Sequence, residues 1–488
     1  MKKYILIASS LLCFAFTNSC SSSDLELEAQ SSDNIEVPLT EEKLQMLLKG
    51  AYFNMSSTSG YGTELLLFGD LLGDNLYMSS TNALYLFTAN KTYSANQSDF
   101  GFYRLMYDTI MSCNMVINDT DVQTNSNVER IKAEAKLIRG YAYFILVNYY
   151  SPSPTSGINQ EYGVPIVLGN YDSLIQPARS SVAEVYEQII SDLKAGEQGT
   201  AAKPLSKVFL GKAAAKLLLS KVYLTRRAPG DAALALQYAT DLINNGSSYG
   251  IAPIDPLAAS AQASYVAYFS SDNDALSENL PETIWELDQN ENSNIVTGIG
   301  SNIALPAYYN RLDSKRNLIF MQSFYTSFNT TDIRRSLFAV NGNLGYWTTK
   351  YPNRTRETAN SSLIDYVRNL KILRFADAEL SRIEALYHTN QQALALTELN
   401  AFSLKRKSKV YTSTGAALLT DILAERAKEF YGEGQRFLDL KRYNLPITKA
   451  TNCVMNCDVP ANDKLFVLPV SQSAVNANPN LKQYPGYN

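Results

Sequence analysis

The sequence predicts a mainly α-helical protein, a scaffold of stacked helical hairpins of tetratricopeptide type that carries a large irregular insertion region. Apolar residues return at helical spacing along most of the chain. Two alanine-rich segments, Gly211–Arg226 and Ala232–Asn244, follow one another across Pro229 and Gly230, and small residues at helix contacts permit the close approach that stacked hairpins need. Two long stretches, Gly60–Gln97 and Tyr249–Thr358, lose the period and are rich in Gly, Asn, Ser and Tyr; the first reads as loops with short helical pieces, and loops of that size usually carry function.

At the N-terminus, Lys2 and Lys3 precede an apolar run from Tyr4 to Phe16, too short to span a bilayer as a mature helix and built like a secretory signal. Thr17, Asn18 and Ser19 then lead to Cys20, the arrangement of a bacterial lipoprotein signal in which Cys20 becomes the acylated first residue of the mature chain. Each buried acyl methylene contributes about 0.8 kcal/mol, so several chains on one residue would hold a soluble domain on a membrane without crossing it. Ser21 to Asp33 is polar and acidic, which keeps it solvated as a tether.

Thr40 with Glu41 and Glu42 opens a helix whose apolar face is Leu44, Leu47, Leu48, Ala51 and Tyr52. Helical spacing returns over Phe102–Val116 and Ile131–Tyr150, and Pro152 and Pro154 end the second. Ser181 followed three residues later by Glu184 is a capping box for Val182–Ala195. Within the second irregular stretch, Thr283–Leu287 reads as a short strand that buries Trp285. Helices resume at Ile372–His388, Gln391–Lys405 and Ala416–Tyr431.

With 45% hydrophobic residues, the 488-residue chain has ample material for a large core. Its formal net charge of -4 argues against a nucleic-acid partner, which needs a basic face. Tyr is abundant, 32 against 2 Trp, which suits a protein that buries some rings and displays others. Cys113 lies in an apolar helical pattern, where a buried, inert thiol is expected. Cys453 and Cys457 flank a short loop and either pair in an oxidising compartment or stay free; a metal site there lacks neighbouring histidines. His388, the one histidine, falls at a helix C-terminus, so histidine-based zinc sites are excluded and a serine or cysteine triad is improbable. No cofactor is expected.

Glu425 and Glu429 stand four apart on one helix face, a spacing that a glycosidase pair also shows. Arg426, Arg436 and Arg442 lie close in sequence, and carboxylates beside guanidiniums stay ionised and paired. A structural ion network is therefore the favoured reading.

The same segment, ILAERAKEFYGEGQRFLDLKRY, resembles the SusD/RagB family of Bacteroidetes outer-membrane lipoproteins. So, in family order, do LLKGAY (Leu47 to Tyr52), YDTIMSCNMVIND (Tyr107 to Asp119), AEAKLIRGYAYFILVNYY with YGVPIV (Tyr162 to Val167), SSVAEVYEQIISDL (Ser180 to Leu193) and GKAAAKLLLSKVYL (Gly211 to Leu224). LRFADAELSRIEALYHTN, ALTELNAFSLKRK and the terminal LPVSQSAVNANPNLKQYPGYN complete the series; Phe375, Ala376 and Asp377 depart from the usual Tyr-Ala-Glu type. The acidic residues just after Cys20 also resemble the surface-export signal of such lipoproteins.

The resemblance implies a signal peptide over residues 1–19, a lipidated Cys20 with a tether to residue 38, and one domain over residues 39–488. Its helical scaffold would span about 39–248 and 359–445, with ligand-side irregular regions at about 57–100 and 249–358. It further implies four tetratricopeptide-like hairpins, no catalysis, and a protein anchored in the outer membrane by lipid, facing the cell surface. Such a protein captures glycans and delivers them to a TonB-dependent transporter of SusC type. A RagB-like minority handles peptides, which makes peptide capture the alternative and a surface glycosidase the more distant one.

Sugar rings present apolar C–H faces that stack on aromatic side chains, while their hydroxyls need amide or charged partners. The first irregular region offers Asn75, Tyr77, Asn82 and Tyr85, and the second offers Tyr346, Trp347, Lys350 and Tyr351. Trp347 leads this set because it sits beside Gly345 in what reads as a polar loop with no apolar period to bury it. Large aromatics are commonly core, and packing is the competing role for each.

Overall fold

Helical periodicity does become an unbroken stack. In the computed structural model, which describes residues 39–78, 85–254, 261–271, 273–289, 305–309, 318–341, 345–351 and 368–487, nine long helices form the scaffold among those residues. They are α1 (Glu41–Ser56), α2 (Phe102–Ile117), α3 (Ser126–Tyr150), α4 (Val182–Gly199), α5 (Lys212–Arg226), α6 (Asp231–Asn244), α7 (Phe375–His388), α8 (Gln392–Lys405) and α9 (Ala416–Glu429). Each packs on the next from α1 to α8, and α9 returns against α7 and α8. This is a tetratricopeptide-like stack of antiparallel helices. The signal segment, Cys20 and the tether, like Asn82, lie outside the described residues.

Local chemistry sets the helix ends. The Asn125 side chain accepts hydrogen bonds from the amides of Asn127 and Val128, so α3 starts five residues before the apolar pattern announces it. Ser181 and Glu184 form the capping box as read, with the Ser181 amide 2.7 Å from Oε2 of Glu184. Ala213, Ala214 and Ala215 of α5 and Ala235 and Ala239 of α6 are buried, which lets those two helices lie close. Arg139 of α3 grips Asp192 of α4 through two hydrogen bonds of 2.7 and 2.8 Å and reaches Asn114 of α2, tying three helices together. Between α7, α8 and α9 a core of Leu380, Ile383, Leu399, Phe402, Leu418 and Ile422 is wholly excluded from solvent, and each such side chain contributes about 1.5–3 kcal/mol by burial.

Three expectations change. Residues 370–374 are a strand before α7 begins, because Leu370, Lys371, Leu373 and Arg374 pair with Thr283–Leu287 rather than extend the helix. The first irregular stretch contains a core element: in the short helix Glu64–Leu71 every residue is buried, so the helical stripe that sequence reading looks for is absent. Its Gly69 lies against the Gly434 carbonyl, where any Cβ would collide. The second irregular stretch is partly a sheet.

That sheet and its base position the candidate site. Strands β1 (Leu76–Met78), β3 (Leu318–Phe320), β5 (Gly345–Thr348) and β4 (Phe338–Asn341) form an antiparallel sheet in the order β1-β3-β5-β4. Strand β2 (Thr283–Leu287) pairs with β6 (Leu370–Arg374) where the insertion leaves and rejoins the scaffold. Trp285 on β2 is fully buried, with its indole N–H on the Val208 carbonyl at 3.2 Å. At the C-terminal end β7 (Ile447–Thr448) and β8 (Asp458–Val459) make a hairpin closed by a Cys453–Cys457 disulfide, while Cys113 is buried and free. His388 in the last turn of α7 meets the Tyr443 hydroxyl at 2.7 Å.

Scaffold and insertion are joined by buried charge. Glu429 at the end of α9 contacts Arg406 (2.6 Å), Arg374 (3.2 Å) and Arg334 (3.4 Å), and all four side chains are buried. Arg334 also pairs with Asp332 and Glu425, both at 2.7 Å. Arg374 reaches Glu433 and Glu282, and Lys350 binds Glu433 at 2.7 Å. Burial disfavours the charged form of Glu429, but the guanidiniums of Arg406, Arg374 and Arg334 outweigh it and hold the carboxyl well below the ordinary range. Of the local arginines, Arg426 goes instead to Asp377 and Asp439, and Arg442 to Glu384 and Asp439.

Glu429→Gln leaves three buried guanidiniums short of a carboxylate, and it is expected to cost about 3–5 kcal/mol in chemical denaturation. An unchanged midpoint would remove this cluster from the scaffold's support. Glu64 behaves in the opposite sense: burial pushes its carboxyl up to about 8 from 4.5. The folded state therefore keeps a proton that the unfolded chain releases, so stability falls as pH rises from about 4.5 to about 8 and then levels. Compared with the parent protein, Glu64→Gln should gain stability progressively across that window and no further above it, read by denaturation at a series of pH values.

Candidate functional site

Strand pairing sorts the aromatic residues of the insertion onto two faces. Tyr77 pairs with Ile319 and Trp347 with Ala339, while Leu76 pairs with Phe320, Phe320 with Tyr346 and Phe338 with Thr348. Because side chains alternate along a strand, Tyr77, Ile319, Gly345, Trp347 and Ala339 share one face. The other face, with Leu76, Phe320, Phe338 and Thr348, packs onto Phe324, Phe328 and Tyr431. There Phe338 stacks on Tyr431 with centroids 4.3 Å apart, and Phe320 meets Tyr431 edge-on at 5.4 Å.

On the first, outer face Ile319 is buried, while Tyr77, Gly345, Trp347 and Ala339 keep partial exposure. Tyr77 and Trp347 are both half-buried, on strands two apart, which sets them roughly 10 Å from one another along the sheet. Between them Gly345 adopts a φ of +115°, and a Cβ there would lie 2.7 Å from Cγ2 of Ile319 and 3.7 Å from the Tyr77 hydroxyl. Only glycine fits this backbone, and its missing side chain keeps the floor low between the two rings. Burial raises the Tyr77 hydroxyl above its ordinary pKa, so it stays a neutral donor at physiological pH.

On the opposite face, which it shares with Phe320 and Phe338, Tyr346 stacks on Tyr325, with centroids 3.7 Å apart and planes 13° from parallel, and is thereby set apart from Tyr77 and Trp347. Arg335 lies 4.3 Å from the Tyr325 ring centre and donates to its hydroxyl at 2.7 Å. Tyr325 and Arg335 carried no sequence signal, since more than twenty residues separate Tyr325 from its ring partner. Only the sheet register joins them.

The remaining candidates have other work. Trp347 belongs to a strand, not to a polar loop, so its exposure comes from lying on the outer face of a short sheet. Lys350 is buried: its ammonium binds Glu433 and the Glu429 carbonyl (2.9 Å) and sits 4.1 Å from the Tyr431 ring centre. Tyr351 donates to the Gly432 carbonyl at 2.6 Å and stacks on Tyr309. These two fix the insertion to the turn after α9. Tyr85, at a φ of +58°, is wedged between Phe68 (5.0 Å) and Tyr308 (5.5 Å), a packing position. Asn75 accepts the Met321 amide on its backbone carbonyl at 2.9 Å, continuing the β1–β3 pairing. Asn82 lies outside the described residues.

Glu425 and Glu429 are both wholly buried and share Arg334, which places them in the charge cluster and away from any open face. Among the described residues no group of three or more His, Cys, Asp or Glu side chains is arranged to hold a metal ion. The outer sheet face thus carries two spaced aromatic rings, Tyr77 and Trp347, chemistry suited to contact with the C–H face of a flat ligand.

Comparison with known proteins agrees with this architecture. Residues 24–224 match a SusD-like family model described as starch-binding and associating with outer membrane, and residues 339–487 match the model of the SusD family, SusD/RagB. No curated protein sequence is significantly similar. A putative sugar binding protein from Bacteroides vulgatus superposes with a TM-score of 0.79 at 24% identity, covering 92% of this chain and 98% of the other. A SusD superfamily protein from Bacteroides thetaiotaomicron gives 0.78 at 24% identity, covering 92% and 100%. Surface glycan-binding protein A from Bacteroides fluxus gives 0.73 at 23% identity, again covering 92% and 100%. At such identities these structures establish the shared fold. With a SusD-like model matching residues 24–224 and the SusD/RagB model matching residues 339–487, the chain belongs to the SusD/RagB family.

Proposed function

We propose that the protein is a non-catalytic lipoprotein, acylated at Cys20, that binds oligo- or polysaccharides at the cell surface and delivers them to a SusC-like TonB-dependent outer-membrane transporter. The observation that carries the binding role is the outer sheet face, where Tyr77 and Trp347 stand apart over a glycine floor. Two ring surfaces on one rigid sheet bind a polymer at separated points, and a sheet is a more exact support than a loop. The family description of starch binding and outer-membrane association, and the sugar- and glycan-binding names of the similar structures, support the same ligand class. Burial of Glu425 and Glu429 in ion pairs supports a binding protein over a glycosidase.

The membrane side of the proposal rests on the sequence around Cys20, since no described helix is long and apolar enough to cross a membrane. In the mature chain the tether would hold the folded domain near the bilayer, with the transporter as its neighbour. The range from residue 39 to 488 then works as one ligand-capturing domain.

Trp347→Ala is expected to weaken binding of the cognate oligosaccharide by about 2 kcal/mol, roughly 30-fold, in titration calorimetry, with Tyr77→Ala acting in the same direction. Affinity that stays intact for every bound saccharide would dismiss this face, and binding of oligopeptides alone would move the protein to peptide capture. Separately, Cys20→Ala should abolish incorporation of labelled fatty acid and release the protein from the membrane fraction; a Cys20→Ala protein that is still acylated would place the anchor elsewhere.

A further inference from the structure

A cavity of about 430 Å³ opens on the scaffold between α1, the end of β2 and residues 208–209, sharing no lining residue with the outer sheet face. Its size lies within the range of small-molecule sites, about 300–1,000 Å³. Phe53 of α1 turns an exposed ring toward it, and Phe209 and Leu287 complete an apolar wall. Lys49 and Asp288 stand at the same opening, a donor and an acceptor. Gly50 of α1 also lines the cavity, and a Cβ built there meets nothing within 4 Å, so a side chain there has open space.

The walls are fixed before any ligand arrives. Tyr52, which meets Phe209 edge-on at 6.2 Å, donates its hydroxyl to Glu134 at 2.9 Å and accepts the Leu210 amide at 2.9 Å. Residues 207 and 208 are bound to β2 through the Glu286 amide and the Trp285 indole. Gln289 ties the end of β2 to α1 by donating to the Ser56 carbonyl at 3.0 Å. A pre-formed site loses little ordering entropy on binding.

We propose that this cavity is a second saccharide subsite, which seats a single sugar ring with its C–H face on Phe53 and its hydroxyls toward Lys49 and Asp288. The proposal rests on the glycan reading given above. An exposed ring beside one donor and one acceptor suits a ligand that is apolar on its face and hydroxylated around its edge. Two subsites on separate parts of one domain would let a branched or long polymer be held at two points, which raises overall avidity without a new contact.

The test titrates mono- and disaccharides of glucose, galactose, mannose and xylose into the full chain by calorimetry and saturation-transfer NMR. The variants are Trp347→Ala with Tyr77→Ala, Phe53→Ala, Phe53→Trp and Gly50→Leu. Gly50→Leu fills the cavity from a position with open space and keeps the core intact, so it does not depend on Phe53→Ala folding. The expected result is that the sheet-face double variant retains weak binding with the stoichiometry reduced from two to one. Adding Phe53→Ala or Gly50→Leu should remove that remainder, and Phe53→Trp should preserve it. Residual binding that is insensitive to Phe53 and Gly50, or complete loss of binding in the sheet-face variant, would overturn the second subsite while leaving the first in place. A parent protein that binds no saccharide but does bind oligopeptides would overturn both.

Discussion

Glu429, at the point where the last scaffold helix ends, is the carboxylate around which the two parts of the domain are organised. Arg406 reaches it from the end of α8, Arg374 from the junction of β6 and α7, and Arg334 from within the insertion. Burying an ion costs several kcal/mol, and only dense pairing offsets it, so each of these groups constrains where the others stand. The cluster widens through Glu433, which binds both Arg374 and Lys350, and through Glu282 just before β2. Burial pushes Glu282 up to about 7, with Arg374 opposing it, so that carboxyl titrates near neutrality while Glu429 stays ionised.

The consequence is geometric. The insertion leaves the scaffold after α6 and returns at β6, and the β2–β6 pair closes its base. Lys350 and Tyr351 then fasten the strand segment that follows Trp347 to the turn after α9, while Gly69 packs the short buried helix under that same turn. A sheet of short strands would be marginal alone. Fixed along its inner face by Phe324, Phe328 and Tyr431, it becomes a rigid support whose outer face displays Tyr77 and Trp347.

The aromatic residues divide by position. Tyr85 and Tyr351 are occupied with packing, and Trp285 is enclosed with its indole N–H satisfied. Tyr77 and Trp347 retain exposed area because the alternation of a strand turns them away from the core. The abundance of tyrosine therefore divides into a large interior population and a smaller, partly exposed set, and burial raises the hydroxyl pKa of Tyr77 as it does those of Tyr52, Tyr149 and Tyr351.

The sequence by itself determined the helices, their order and the stacked-hairpin class, because an amphipathic helix writes its buried face as a local 3.6-residue period and its start as a cap such as Ser181 with Glu184. It also pointed to a strand at Trp285 and to an ion network around Glu425 and Glu429, although their partners are the distant Arg334, Arg374 and Arg406 and not the neighbouring Arg426, Arg436 and Arg442. It did not reveal the strand at residues 370–374, the complete burial of the short helix Glu64–Leu71 or the assembly of the candidate site. Those elements are too short or too evenly apolar to show a period, and their partners lie far along the chain: Tyr325 against Tyr346, Leu370–Arg374 against Thr283–Leu287, Glu429 against Arg334. Lys350 and Trp347, three residues apart, look alike in sequence as polar-region candidates. Only the register of β5 against β3 and β4, which is a long-range property, turned Trp347 outward, while the distant Glu433 drew Lys350 into the interior.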